Sequence, residues 1–311
     1  MGENYGLPYT GSKSRIAHWV IDNLPCGRVL IDAFAGGCAI THRALLSQKW
    51  QTVIANDINE KYPQLFADAI HGRYRDEKQW ISREDFKRLK FQDAFIACCW
   101  SFGNNLQSYM YSQAIEPYKR ALHYAIVLDD FEQMQELMPE VSQSVHEAIH
   151  ELRHTHDRRV TAQKVIVKTL KRLTGDNYAH QIIQGNPLYQ SIRHSNKDAQ
   201  SLQRLERLQS LERLRVTSLS YDEIDIPPDA VVYCDPPYHA CNKELYEGTA
   251  RFDHNAFYDW CVDVSKTNPI FISEYSIEDD RFEVVAEKQK ITSMSPVKSF
   301  NVTERLYTVK K

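Results

Sequence analysis

The segment Val231-Val232-Tyr233-Cys234-Asp235-Pro236-Pro237-Tyr238 is an apolar run that stops abruptly in an acid, two prolines and an aromatic ring. The run reads as a strand buried in a parallel sheet. The prolines fix φ and remove two backbone donors, so the strand ends in a rigid turn whose carbonyls are free to accept. Strand carboxyl ends are where open α/β sheets bind ligands. An acid and a carbonyl beside an aromatic face suit the exocyclic amine of a planar base, the competing reading being a merely rigid turn.

Similar short runs recur at both ends of the chain, at Val29 to Asp32, Thr52 to Asn56 and Pro269 to Ser273, with a late strand at Glu304 to Val309. Helical spacing at Cys38 to Trp50 and at Asn255 to Lys266 supplies crossovers, and a first helix spans Ser14 to Leu24. The expected fold is therefore α/β, with a discontinuous core from residues 1–60 and 216–311. The interval 61–215 has long polar helical patterns and few strand-like runs, and reads as an inserted, mainly helical domain. A chain of 311 residues with 42% hydrophobic content has room for both.

Charge divides the insertion. Ala121 to Leu152 carries seven acidic residues and no Lys or Arg, whereas Arg153 to Arg215 carries 13 basic against five acidic. Helices with opposed charged faces would explain this, and so would a surface facing phosphate. The whole-chain balance of 38 basic and 41 acidic residues excludes a uniformly basic coat. Seven cysteines without a C-x-x-C pair fit reduced thiols in the cytoplasm. With no long apolar stretch, no membrane partner is expected.

Two further segments resemble parts of a nucleoside site. Asp32-Ala33-Phe34-Ala35-Gly36-Gly37 follows a strand and opens a helix, and its glycines admit a ligand close to the backbone. It is not G-x-G-x-x-G, so a dinucleotide site is weakly supported. Asp57 ends the next strand, where a carboxylate can hold ribose hydroxyls. Pro8-Tyr9-Thr10-Gly11-Ser12-Lys13 precedes the first helix and is a candidate lid.

Tyr-Thr-Gly-Ser-Lys, Asp-Ala-Phe-Ala-Gly-Gly, Ala-Asn-Asp-Ile-Asn and Tyr-Cys-Asp-Pro-Pro-Tyr, in that order, resemble the Dam-like, alpha-class (D12-type) DNA adenine-N6 methyltransferases, bacteriophage members included. The resemblance covers about Tyr5 to Lys61 and Arg215 to Lys311. It implies a Rossmann-like, S-adenosylmethionine-dependent core, with the insertion as target-recognition domain and double-stranded DNA as partner. It implies that Tyr9, Lys13, Asp32, Phe34, Ala35, Gly36, Asp57, Ile58, Tyr221, Asp222 and Asp235 contact the cofactor. Ser218 to Asp222 resembles the strand lining the cofactor base. Asp235, Pro236, Pro237 and Tyr238 match the catalytic tetrad, and no metal is required. An adenine inside a duplex would have to be flipped out to reach them.

For DNA contact the candidates are Asn104, Asn105, Gln107 and Tyr109, in a turn-rich loop, and Lys164, Lys168 and Lys171 in the basic stretch; Cys98, Cys99 and Trp100 are expected in the core. The rival motif is His146-Glu147-Ala148-Ile149-His150, with His154 on the same face, a zinc-protease pattern lacking the usual extended third ligand. Cytosine N4 or RNA adenine as acceptor, and a catalytically silent DNA-binding relative, stay open, because both amines need the same acceptors. Recognition sequence, restriction partnership and oligomeric state, monomer or homodimer, also stay open.

Overall fold

The computed structural model describes residues 5–8, 11–74, 77–174, 211–238, 252–295 and 298–311. Two compact units emerge, one formed by Met1–Arg75 with Ser201–Lys311 and the other by Asp76–Gln200.

The first unit is built on a seven-stranded sheet of order β3-β2-β1-β4-β5-β7-β6. Its strands are β1 (Gly27–Asp32), β2 (Trp50–Asn56), β3 (Leu214–Thr217), β4 (Val231–Cys234), β5 (Ile270–Glu274), β6 (Phe282–Ser295) and β7 (Lys298–Val309). The first five are mutually parallel, and β7 runs antiparallel to both β5 and β6. Strand order turns back at β1 and β4, so the carboxyl ends of those two strands flank the topological switch point, where open sheets bind ligands.

The central strands are covered on both faces: β4 is buried throughout and β1 over its last four residues. Val29, Ile31, Val232, Cys234 and Ile272 form one buried cluster with Phe257 and Cys261 of a late helix, His254–Val264, numbered α10 below. Leu30 and Asp32 alternate to the other side of β1, where α2 (Ala39–Ser47) follows α1 (Ala17–Asn23). Helix α3 (Lys61–Ile70) buries Tyr62, Leu65, Phe66 and Ile70, and its Phe66 ring meets His42 of α2. That burial ties α3 to the sheet unit, although it falls inside the interval 61–215 expected for the insertion.

Two readings of the sequence need correction. Ser218 to Asp222 is not a strand. β3 ends at Thr217, opposite Asn56, and Ser220 and Glu223 form a capping box that starts a 3₁₀ turn at Tyr221–Glu223. The last hairpin also exceeds the expected strand at Glu304 to Val309. β6 escaped notice because a bulge between Val284 and Ala286 breaks the two-residue alternation.

The second unit contains α4 (Arg83–Leu89), α5 (Ala94–Cys99), α6 (Glu116–His123), α7 (Glu132–Leu137), α8 (Pro139–Ile149) and α9 (Thr155–Thr174). Its core joins Ala121, Leu122, Ile126, Met134, Val141, Val145, Ile149, Ala162 and Ile166. The opposed charges are partly internal: Arg158 of the basic stretch pairs with Asp129 of the acidic one and donates to the Ala125 carbonyl at 2.9 Å. Among the described residues no helix is long and apolar enough to cross a membrane.

Candidate active site

The loop after β1 is locked from three directions. Ala33 N–H donates to the Tyr233 carbonyl at 2.9 Å and Ala35 N–H to the Asn56 carbonyl at 2.8 Å. Gly36 N–H donates to Asp57 Oδ2 at 2.8 Å. Gly36 has φ +44° and Cys38 φ +58°, and this left-handed turn lets α2 start directly behind the loop. The amino-terminal segment completes the wall: Leu7 N–H donates to the Gly37 carbonyl at 2.7 Å. Gly6 has φ +72°, and a Cβ there would lie 2.3 Å from the Gly37 oxygen.

Asp32 is 1% exposed. Its Oδ2 accepts from Thr41 N–H at 3.1 Å and Thr41 Oγ1 at 2.7 Å, at the first turn of α2. Its Oδ1 is buried without a hydrogen-bond partner. Burial, reinforced by the charges of Asp235 and Asp57 and opposed by the Thr41 bonds, pushes this carboxyl up to about 7. Asp57 is raised as well, chiefly by burial, against bonds from Asn59 and Gly36.

Asn56, 1% exposed, stitches three strand ends together. Its Nδ2 donates to the Ala33 and Leu219 carbonyls, each at 3.0 Å. Its Oδ1 accepts from Thr217 Oγ1 at 2.8 Å and Leu219 N–H at 3.0 Å. The loop after β3 is thereby held beside the loop after β1, and Tyr221 stacks on Phe34 with centroids 5.8 Å apart. Ile58 is 77% exposed in the neighbouring turn, and Asp222 is exposed.

At the end of β4, Asp235 Oδ1 stands 2.7 Å from Lys13 Nζ. That ammonium lies 4.4 Å from the Tyr238 ring centroid and 3.8 Å from Glu304 Oε1. The Tyr238 hydroxyl donates to the same Glu304 oxygen, and Tyr275 meets the Tyr238 ring edge-on at 4.6 Å. Burial first, then the charges of Asp235 and Glu304, raises the Tyr238 hydroxyl well above its ordinary value, so it stays a neutral donor.

The structure thus brings Lys13, Asp32, Phe34, Ala35, Gly36, Asp57, Ile58, Tyr221, Asp222 and Asp235 to Tyr238 onto the carboxyl edge of one sheet. Tyr9 lies outside the described residues. Sequence reasoning gave no site role to Asn56, Glu304 or Tyr275, although Asn56 lies in one of the quoted motifs and Glu304 in the stretch Thr303 to Tyr307 that resembles the family's tail. Glu304 carried a legible signal: it shares a strand face with fully buried Leu306, so it is a charge at an inward position of β7.

The DNA-contact candidates divide. Tyr109 is a core residue, 9% exposed, and its hydroxyl donates to the Ile81 carbonyl at 2.7 Å; this corrects its expected role at a base. Asn104 donates to the Cys98 carbonyl at 3.0 Å, at the end of α5, while Asn105 Oδ1 accepts from Gln107 and Ser108 N–H, each at 2.9 Å. Both asparagines shape the loop, and Gln107 is exposed. Cys98, Cys99 and Trp100 are buried. Lys164 and Lys168 are exposed on α9, one turn apart; the Lys171 side chain lies outside the described residues. Among the described residues no group of three or more His, Cys, Asp or Glu is arranged to hold a metal. His146 packs edge-on against Phe131 at 4.7 Å, and His150 Nδ1 bonds to the Glu147 carbonyl at 2.9 Å.

A family model for D12 class N6 adenine-specific DNA methyltransferases matches residues 9–279. No curated protein matches the chain.

Proposed function

Because the chain belongs to the D12 class N6 adenine-specific DNA methyltransferase family, we propose that the carboxyl edge of β1 and β4 is where its reaction takes place. The protein is an S-adenosylmethionine-dependent enzyme that methylates adenine N6 in DNA. The observation that carries the site assignment is the juxtaposition of Asp235 with buried Tyr238 and with Lys13, 2.7 Å from that acid, at the switch point of the sheet.

The residues present fit the cofactor. Asp32 Oδ1, buried and without a partner, is an acceptor suited to an ammonium. Asp57 spends two of its roughly four acceptor positions on Gly36 and Asn59, which leaves capacity for ribose hydroxyls. Phe34, Tyr221 and exposed Ile58 offer flat and apolar surface to a base, with Asp222 beside them. Ala35 and Gly36 would let the ligand approach the backbone, and Tyr9 and Lys13 would close over it. S-adenosylmethionine supplies a methyl group activated on a positively charged sulfur.

The chain's own part in the reaction is positioning and electrostatics. The target amine is a weak nucleophile, because its lone pair is delocalised into the purine. Asp235 and the Pro236 carbonyl accept its N–H bonds, favour a pyramidal nitrogen and stabilise the positive charge that develops there. Pro237 keeps the turn rigid, and Tyr238 stacks on the flipped base. Holding amine and methyl donor in line supplies much of the rate.

In the same reading target recognition belongs to the insertion, with Lys164, Lys168 and Lys171 toward phosphate and exposed Gln107 toward the groove. Cytoplasmic location is part of the same reading. The test is expression in a methylation-free host followed by sequencing of modified bases. Wild-type protein should leave N6-methyladenine in a defined motif, and Asp235→Ala should leave none while melting as wild type does. Undiminished methylation by Asp235→Ala would sink the site assignment.

A further inference from the structure

We propose that Glu304 is a positioning residue for methyl transfer, resting on the site described above and acting on the target base through Tyr238. It lies beyond the residues matched by the family model, 9–279, so the family match does not assign it. β7 pairs with β5 through Ile272↔Tyr307, Ser273↔Leu306 and Glu274↔Arg305. Glu304 is therefore the next residue outward, level with the carboxyl end of β5 and opposite Tyr275.

A carboxylate that is 0% exposed is costly unless its oxygens are used. One oxygen, Oε1, serves both neighbours: it accepts the Tyr238 hydroxyl and lies 3.8 Å from Lys13 Nζ. Tyr238 is thus held at its hydroxyl by Glu304 and along its ring by Tyr275, 4.6 Å away. Its remaining freedom is small. A stacking ring can hold a base in line with a methyl donor only if the ring itself cannot tilt or slide, and small misplacements of reacting groups are expensive in rate. Lys13 is shared between Asp235 at 2.7 Å and Glu304.

The acceptor oxygen is what this role requires. Glu304→Gln presents an oxygen of the same reach, whereas Glu304→Ala and Glu304→Leu leave the Tyr238 hydroxyl buried without its acceptor. The experiment measures steady-state transfer of labelled methyl groups from S-adenosylmethionine to duplex DNA of a methylation-free host, with cofactor affinity by calorimetry and melting curves alongside. Glu304→Ala and Glu304→Leu should lower kcat about 30-fold with cofactor Kd within about threefold, and Glu304→Gln should recover to within about fivefold of wild type. Tyr238→Phe cuts the same bond from the other side, so it should match Glu304→Ala, and the double variant should be no slower than either single one. If the alanine and leucine variants do not fold, the comparison of Tyr238→Phe with Glu304→Gln carries the test. A Glu304→Gln enzyme as slow as Glu304→Ala, or a Tyr238→Phe enzyme at the wild-type rate, overturns the proposal. Activity retained by Asp235→Ala would instead overturn the site, so the two failures are told apart.

Discussion

Asp32→Asn should make the free protein more stable in mild base while weakening its hold on the cofactor. The carboxyl is pushed from 3.8 to about 7 by burial, and each pH unit of such displacement corresponds to about 1.4 kcal/mol. The ionised form is therefore disfavoured in the fold by about 4 kcal/mol. Between roughly pH 4 and pH 7 the folded protein keeps a proton that the unfolded chain has released, so stability falls as pH rises and levels off above about 7. Asparagine removes that dependence. Its carbonyl can still accept both Thr41 bonds, but its amide takes the place of an oxygen without a partner, which costs about 1–3 kcal/mol. The net expectation at pH 8 is a gain of about 1–3 kcal/mol, shrinking and then reversing toward pH 4. Urea unfolding at half-unit pH steps measures it, and the stability of the variant minus that of wild type should rise by about 1.4 kcal/mol per pH unit between pH 5 and 6.5. If Asp32 holds the cofactor ammonium, calorimetry should show affinity for S-adenosylmethionine falling by about tenfold or more. Parallel pH curves for the two proteins would refute the electrostatic argument, whatever the cofactor result.

Replacing Lys164, Lys168 and Lys171 together with Gln should lower the slope of log affinity against log salt by roughly 2 to 3 if all three meet phosphate; an unchanged slope returns them to solvent. Tyr109→Phe removes a buried bond to the Ile81 carbonyl and should cost about 1–2 kcal/mol in urea unfolding, with DNA affinity unchanged. A fall in affinity without a fall in stability would restore Tyr109 to the interface. Gly6→Ala forces a side chain onto φ +72° and to within 2.3 Å of the Gly37 oxygen, so a loss of about 2–4 kcal/mol is expected. A melting temperature equal to wild type would show that the 5–8 segment does not brace the glycine turn.

Much of the candidate site's framework is legible in the sequence. The run ending in Asp235-Pro236-Pro237-Tyr238, the small-residue turn after Asp32 and the acid at Asp57 each mark the carboxyl end of a strand. Their chemistry is local: proline ends a ladder, glycine admits close approach, and a continuous apolar run needs cover on both faces. Those rules act over a few residues and can be read along the chain. The loop of Asn104 and Asn105 shows where local reading falters. Turn chemistry located the loop, but the same amides that suggest base recognition are spent on the Cys98 carbonyl and on backbone N–H groups.

What the linear chain determined by itself was the class of fold and the order of its motifs. What needed the folded molecule was the company those residues keep. Lys13 and Glu304 are 291 positions apart in sequence, yet both reach Tyr238, because the amino-terminal segment and the last strand converge on the carboxyl edge of one sheet. Burial at that edge raises Asp32, and antiparallel registry turns Glu304 inward. Desolvation and registry are properties of the packed sheet rather than of any short stretch of chain, so no motif spells them out.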